Sequence, residues 1–174
     1  RASVLPPSQI VAYLNLDEEH QLAAIVALSA LNLRAQVPLI REAFEVLSTR
    51  ALKSLLIRVC LDQALTEEFE MVDDGITYTF IPAALTAPEH SDGYQNAKAL
   101  LIDWLSSDNP SLLNLVLQQL DHEALIKLPE SYDAQEAMDL ALRVLYPIYV
   151  QLVDESHWRQ FLIEKGLAHP LSTH

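Results

Sequence analysis

The segment 67–85, EEFEMVDDGITYTFIPAAL, alternates apolar and polar residues with a period of two, inside a chain whose other apolar residues recur at helical spacing. Phe69 and Met71 alternate with Glu68 and Glu70, and Ile76, Tyr78 and Phe80 alternate with Thr77 and Thr79. That is the pattern of two half-buried strands, and Asp73-Asp74-Gly75 supplies a tight connection between them. A hairpin over about 67–81 follows. Two strands alone are marginal in water, so the apolar face of this pair must lie on helices. The hairpin then replaces a helix as the cover of an inner layer. Its edges are open to a partner's strand, with Glu67, Glu68 and Glu70 placed to discourage indiscriminate pairing.

The helical remainder is read from caps and periodicity. A short turn capped by Ser8 leads to Asp17, the N-cap of a long helix over roughly 18–31. In that helix Leu22, Ile25, Val26 and Ser29 fall on one face, with Ala24, Leu28 and Leu31 beside them, as in an inner-layer helix. VPLIREAFEVL carries Pro38 in its first turn and buries Val37, Ile40, Phe44 and Leu47. Thr49 caps the next helix, RALKSLLIRVCLDQAL. Beyond the loop containing Pro82 and Pro88, a helix opens near Ser91 or Asp92 with Tyr94, Ala97, Leu101 and Trp104 at helical spacing. Asp108 or Asn109 starts another. The longest helix, about 133–153, exposes Gln135, Asp139, Arg143, Pro147 and Gln151, and Pro147 is expected to kink it. The last helix, SHWRQFLIEKG, stops at Gly166 as a C′ residue, and 167–174 is a tail.

LAAIVALSALN (22–32) aligns with LKSLLIRVCLD (52–62) at an offset of 30 residues, pairing Leu22 with Leu52 and Leu31 with Leu61. Fixed-period helices are the mark of α-solenoids. On these residues, LAAIVALSALNLRAQVPLIREAF resembles a HEAT-type repeat. The ordered parts from Leu5 to Tyr149 (a helix pair, one further helix, FEMVDDGITYTF, IPAALTAPEH, DNPSLL and LYPIY) resemble an uncharacterised HEAT-like domain of bacterial tetratricopeptide-repeat proteins. The resemblance implies an all-α fold, an α-solenoid-like stack of HEAT-type repeats with one inserted hairpin, and it brings no activity to transfer. The chain is read as a single domain over 1–174: repeat-like helices in 17–65, hairpin and loop in 66–90, C-terminal helices in 91–166.

Charge is spread unevenly. Residues 1–65 balance six Lys/Arg against six Asp/Glu, and the remaining five basic and eighteen acidic residues give 66–174 the whole net charge of −13. Such a half repels phosphate, which argues against nucleic acid as a partner. It serves solubility, or it meets a basic protein surface. MDLALRVLYPIYVQLV is interrupted by Asp139, Arg143 and Gln151, against a membrane span, and no signal peptide is evident. The first residue, Arg1, is not Met, consistent with a piece of a longer repeat protein or with a processed terminus. The single cysteine, Cys60, excludes an internal disulfide and reads as a buried thiol of a cytoplasmic protein.

No catalytic, cofactor-binding or metal-binding set emerges. HEALI at His122 lacks the second histidine of a zinc helix, and His20, His90, His157, His169 and His174 have no ligand spacing. The acidic turn of Glu67, Glu68, Glu70, Asp73 and Asp74 is a candidate partner surface, with loose cation binding as the lesser reading. Tyr146, Tyr149 and Trp158 are either core or the wall of a groove for a peptide. The expected function is therefore a non-catalytic protein-interaction module. The alternative is a small-molecule-binding or enzymatic domain with a pocket between the hairpin and the C-terminal helices, and a third reading is simple self-association.

Overall fold

The computed structural model describes residues 5–169. His174 and the tail beyond His169 lie outside the described residues. Residue contacts divide the chain into two compact units. The first holds residues up to Ala87 together with Leu125–Ser131; the second holds Pro88–Ala124 and the residues from Tyr132 onward. Among the described residues there are eight α-helices and one two-stranded antiparallel sheet.

The first unit contains α1 (Pro7–Leu14), α2 (Glu18–Ser29), α3 (Val37–Val46), α4 (Arg50–Asp62), β1 (Phe69–Asp73) and β2 (Ile76–Phe80). Asp17 accepts a hydrogen bond from the backbone of His20 and Thr49 from that of Leu52, so α2 and α4 start where their capping residues stand. Ser8 does not cap α1. The helix begins one residue earlier, at Pro7, a residue suited to the first turn because it has no N–H to leave unpaired. The helix α3 buries Ile40, Phe44 and, at its end, Leu47, while Arg41, Glu42 and Glu45 stay outside.

The face chosen by α2 departs from the expectation. Ala24, Ile25 and Leu28 are buried, but Leu22 is 44% and Val26 58% exposed. Apolar residues surround this helix, so periodicity does not select its buried side. A polar side chain does. Gln21 is buried because its Nε2 donates to the carbonyls of Leu14 (2.8 Å) and Val46 (3.1 Å), while its Oε1 accepts from the backbone and hydroxyl of Ser48. One amide thus ties together the ends of α1 and α3. Positions aligned at the offset of 30 do not share an environment: Leu52 and Leu56 are buried where Leu22 and Val26 are exposed.

In the second unit are α5 (Asp92–Leu105), α6 (Pro110–Lys127, whose last turn belongs to the first unit), α7 (Ala137–Leu152) and α8 (Trp158–Glu164). Ser91 caps α5 and Asn109 accepts from Leu112 at the start of α6. Tyr94, Ala97, Leu101 and Trp104 are all buried. Gly93 sits where its backbone donates to the Tyr132 carbonyl at 3.0 Å; a Cβ there would lie 2.4 Å from the Asp133 carbonyl oxygen. A 3-10 turn, Ala134–Glu136, precedes α7 and is closed by a capping box between Asp133 and Glu136. The polar stripe from Gln135 to Gln151 is exposed throughout, and α7 continues through Pro147. Gly166, at φ +73°, ends the last helix as Leu167 donates back to Leu162. No helix among the described residues is long and apolar enough to cross a membrane.

Candidate functional site

The hairpin is held to its helices by aromatic packing and by three cations. Phe69 and Phe80, cross-strand partners, both meet Phe44 of α3, with ring centroids 6.1 and 5.7 Å away. Met71 is buried beside them. Asp73 pairs with Ile76 across the two-residue turn Asp74-Gly75, whose φ angles of +50° and +77° are those of a type I′ turn. Glycine meets the second requirement without strain, and aspartate tolerates the first.

Arg50 is the centre of the clamp. Its Nη1 donates to Asp73 Oδ2 at 3.1 Å, its Nη2 to the carbonyls of Leu128 (3.1 Å) and Lys127 (3.4 Å), and its guanidinium lies 4.9 Å from the Tyr78 ring centroid. Nε reaches the hydroxyl of buried Ser54 at 3.3 Å. One side chain therefore joins α4, both strands and the returning segment Leu125–Ser131. In the sequence Arg50 is one of six Lys/Arg in residues 1–65, and charge alone does not distinguish it from the others. The available signal is its place in the first turn of α4, where a cation opposes the helix dipole and needs another reason to be there.

The two edges of the sheet differ. With Asp73 and Ile76 as the hydrogen-bonded pair at the turn, the backbone groups of Glu70 and Val72 in β1, and of Thr77 and Thr79 in β2, point away from the ladder. On the β1 side, Arg41 donates to the Glu68 carbonyl (2.8 Å) and Lys53 to the Val72 carbonyl (2.5 Å). Arg41 also lies 4.9 Å over the Phe69 ring. These residues line a groove of about 450 Å³ together with Glu45, Glu68 and Glu70. The β2 edge has no such cover among the described residues: Thr77, Thr79 and Ile81 are exposed, and Ile76 is 54% exposed.

The candidate acids take two positions. Glu68, Glu70 and Asp74 are exposed and, among the described residues, have no ion-pair partner, because the neighbouring cations are turned to backbone carbonyls and to Asp73. Glu67 and Asp73 are half-buried; Asp73 is paired with Arg50, and Glu67 Oε1 has no hydrogen-bond partner among the described residues. No cluster of three or more His, Cys, Asp or Glu suited to a metal occurs among the described residues. Cys60 is fully buried, and that burial pushes its thiol up to about 12, far from a nucleophile at neutral pH.

The aromatic candidates lie in the second unit and do come together. Trp158 is 5.1 Å from Tyr146 and 5.2 Å from Tyr149, and it stacks on Phe161 at 5.5 Å. Tyr149, only 8% exposed, belongs to the core. Burial, with Asp154 and Glu164 nearby, raises its phenol above the usual value. Tyr146 is exposed and donates to both carboxylate oxygens of Glu155, at 2.8 and 2.9 Å; that bond raises its phenol too. Phe161 completes the group and was not singled out as a partner-surface residue, since spacing alone does not show which side of a short helix is covered. The candidate set is thus divided, acids in one unit and aromatics in the other. No protein-family model matches the chain, nor does any curated protein or solved structure.

Proposed function

We propose that this chain is a non-catalytic protein-interaction module of the HEAT-like helical-repeat kind, part of a longer cytoplasmic repeat protein, and that it receives a basic partner on the outer face of the hairpin. The observation that carries the reading is the set of exposed carboxylates of Glu68, Glu70 and Asp74, unpaired among the described residues although three cations stand close by. Arg41 and Lys53 hold the backbone at Glu68 and Val72, Arg50 holds the Asp73 side chain, and the acids are left facing water. Exposed carboxylates of this kind suit electrostatic recognition; a catalytic pair would call for convergent, desolvated ones.

The test is affinity capture by the wild-type chain and by a Glu68→Gln/Glu70→Gln/Asp74→Asn variant, at about 0.1 M and about 0.5 M salt, concentrations that screen exposed charges to different extents. A protein retained by the wild type at low salt, released at high salt and not retained by the variant supports the reading. Equal retention by both chains refutes it.

A further inference from the structure

We infer that the open edge of β2 is a self-association site, at which β2 pairs antiparallel with β2 of a second copy to form a four-stranded sheet in the order β1-β2-β2-β1. The inference deepens the interaction reading above, since it would join two acidic hairpins in one surface. It rests on what each strand leaves unsatisfied and on what a two-fold axis would bring together.

At the β1 edge Arg41 and Lys53 hold the carbonyls of Glu68 and Val72, whereas among the described residues no side chain holds the outward N–H and C=O groups of Thr77 and Thr79. A two-fold axis through Tyr78 sets Thr77 of one copy opposite Thr79 of the other. Both residues then exchange hydrogen bonds as a paired couple, twice over. On the face that packs on the helices, half-buried Tyr78 stands opposite its own copy and the exposed Ile76 stands opposite the position of Phe80, whose ring is already covered by Phe44 and Phe69. Aromatic pairs, aromatic with β-branched pairs and threonine pairs are the favourable cross-strand combinations.

Charge agrees with this register. ITYTF contains no Asp, Glu, Lys, Arg or His. A net charge of −13 opposes association in general, yet none of it stands on the pairing strand. Across the sheet, the row that begins at Glu70 continues through Thr79, then Thr77 and Val72 of the second copy. The row that begins at Asp73, already paired with Arg50, continues through Ile76, then Phe80 and Phe69. No carboxylate faces another. Natural edge strands are normally guarded by charge, proline or a bulge, and β2 has none of these within its five residues.

Sedimentation velocity of the full chain, over about 10 μM to about 1 mM, reads the affinity, and amide exchange read by NMR locates the contact. The expected result is a weak dimer, with the Thr77 and Thr79 amides gaining protection as concentration rises. Two double variants test the register. Thr77→Lys/Thr79→Lys places like charges across the axis, while Thr77→Glu/Thr79→Lys places opposite ones. The first is expected to dimerise at least about tenfold more weakly than the second, and circular dichroism confirms that both fold. In both, the lysine at 79 lies beside Glu70 in its own hairpin, which favours the fold. A chain monomeric up to about 1 mM, a dimer whose Thr77 and Thr79 amides exchange as in the monomer, or equal dimerisation by the two variants overturns the inference. Salt-sensitive capture by the acidic side chains is a separate readout, so it stands or falls on its own.

Discussion

Replacing Arg50 by alanine should loosen the hairpin without touching its apolar packing. The substitution removes the donors to the Leu128 and Lys127 carbonyls, the ion pair with Asp73 and the cation over Tyr78. Hydrogen bonds to a charged donor contribute about 1.5–3 kcal/mol each, an ion pair that keeps some contact with water up to about 1, and a cation–π contact of the same kind about 0.5–1. The bond to Lys127 is long, at 3.4 Å, and the Asp73 pair is 23% and 28% exposed, so the lower ends apply. These contributions share one side chain and do not add fully, which leaves a loss of about 3 kcal/mol. At an m-value of roughly 2 kcal/mol/M in urea, the transition that opens the hairpin should move down by about 1.5 M. Hydrogen exchange of residues 69–80 and 125–131 against urea is the assay. Arg50→Lys, which keeps the charge but not the planar fork, should lose about half as much. A loss below about 1 kcal/mol for the alanine variant, or a change confined to α4, would refute the clamp.

Three further outcomes follow from the structure. Gly93→Ala drives a Cβ into the backbone at Tyr132 and Asp133 and should destabilise the second unit by about 3 kcal/mol or more, read as an earlier thermal transition of buried Trp104 fluorescence. Cys60 should resist alkylation in the native chain at pH 8 and react at once in denaturant. Because its folded pKa is raised from 9.0 to about 12, its contribution is complete below 9.0 and is lost as pH climbs towards 12, and Cys60→Ala should flatten that alkaline loss. Asp17 and Asp154 are held below the ordinary 3.8, Asp17 chiefly by the His20 backbone N–H and Asp154 chiefly by the His157 side chain. Their contributions are present above pH 3.8 and disappear as the pH falls through the lower folded values, so Asp17→Asn/Asp154→Asn should make acid titration shallower.

What was legible in the sequence was whatever neighbouring residues decide among themselves. Caps at Asp17 and Thr49, a helix opening at Ser91 or Asp92, the stop at Gly166, a tight connection within Asp73-Asp74-Gly75 and the stripe from Gln135 to Gln151 each depend on a few adjacent positions. The buried face of α2 depends on Gln21 reaching Ser48, 27 residues away, and nothing local announces it. The candidate site divides the same way. Alternation marked the strands and their acids, but the difference between the edges lies in Arg41 and Lys53, which reach β1 from 27 and 19 positions earlier. Phe161 joined the aromatic group by a packing choice that spacing leaves open.

Leu128 is fully buried in the core of the first unit, and its carbonyl anchors Arg50, yet 37 residues of the second unit, Pro88–Ala124, separate it from Ala87. During synthesis, α1 to α4 and both strands emerge well before the piece that closes them. Until that piece arrives, Arg50 has no carbonyls to hold and one wall of the apolar core is missing. The nascent chain must therefore carry a half-built unit while most of the next one is made, an interval in which exposed apolar surface invites chaperones or misassembly. A gene fragment ending after the hairpin would make that interval permanent; one extended through Ser131 would end it.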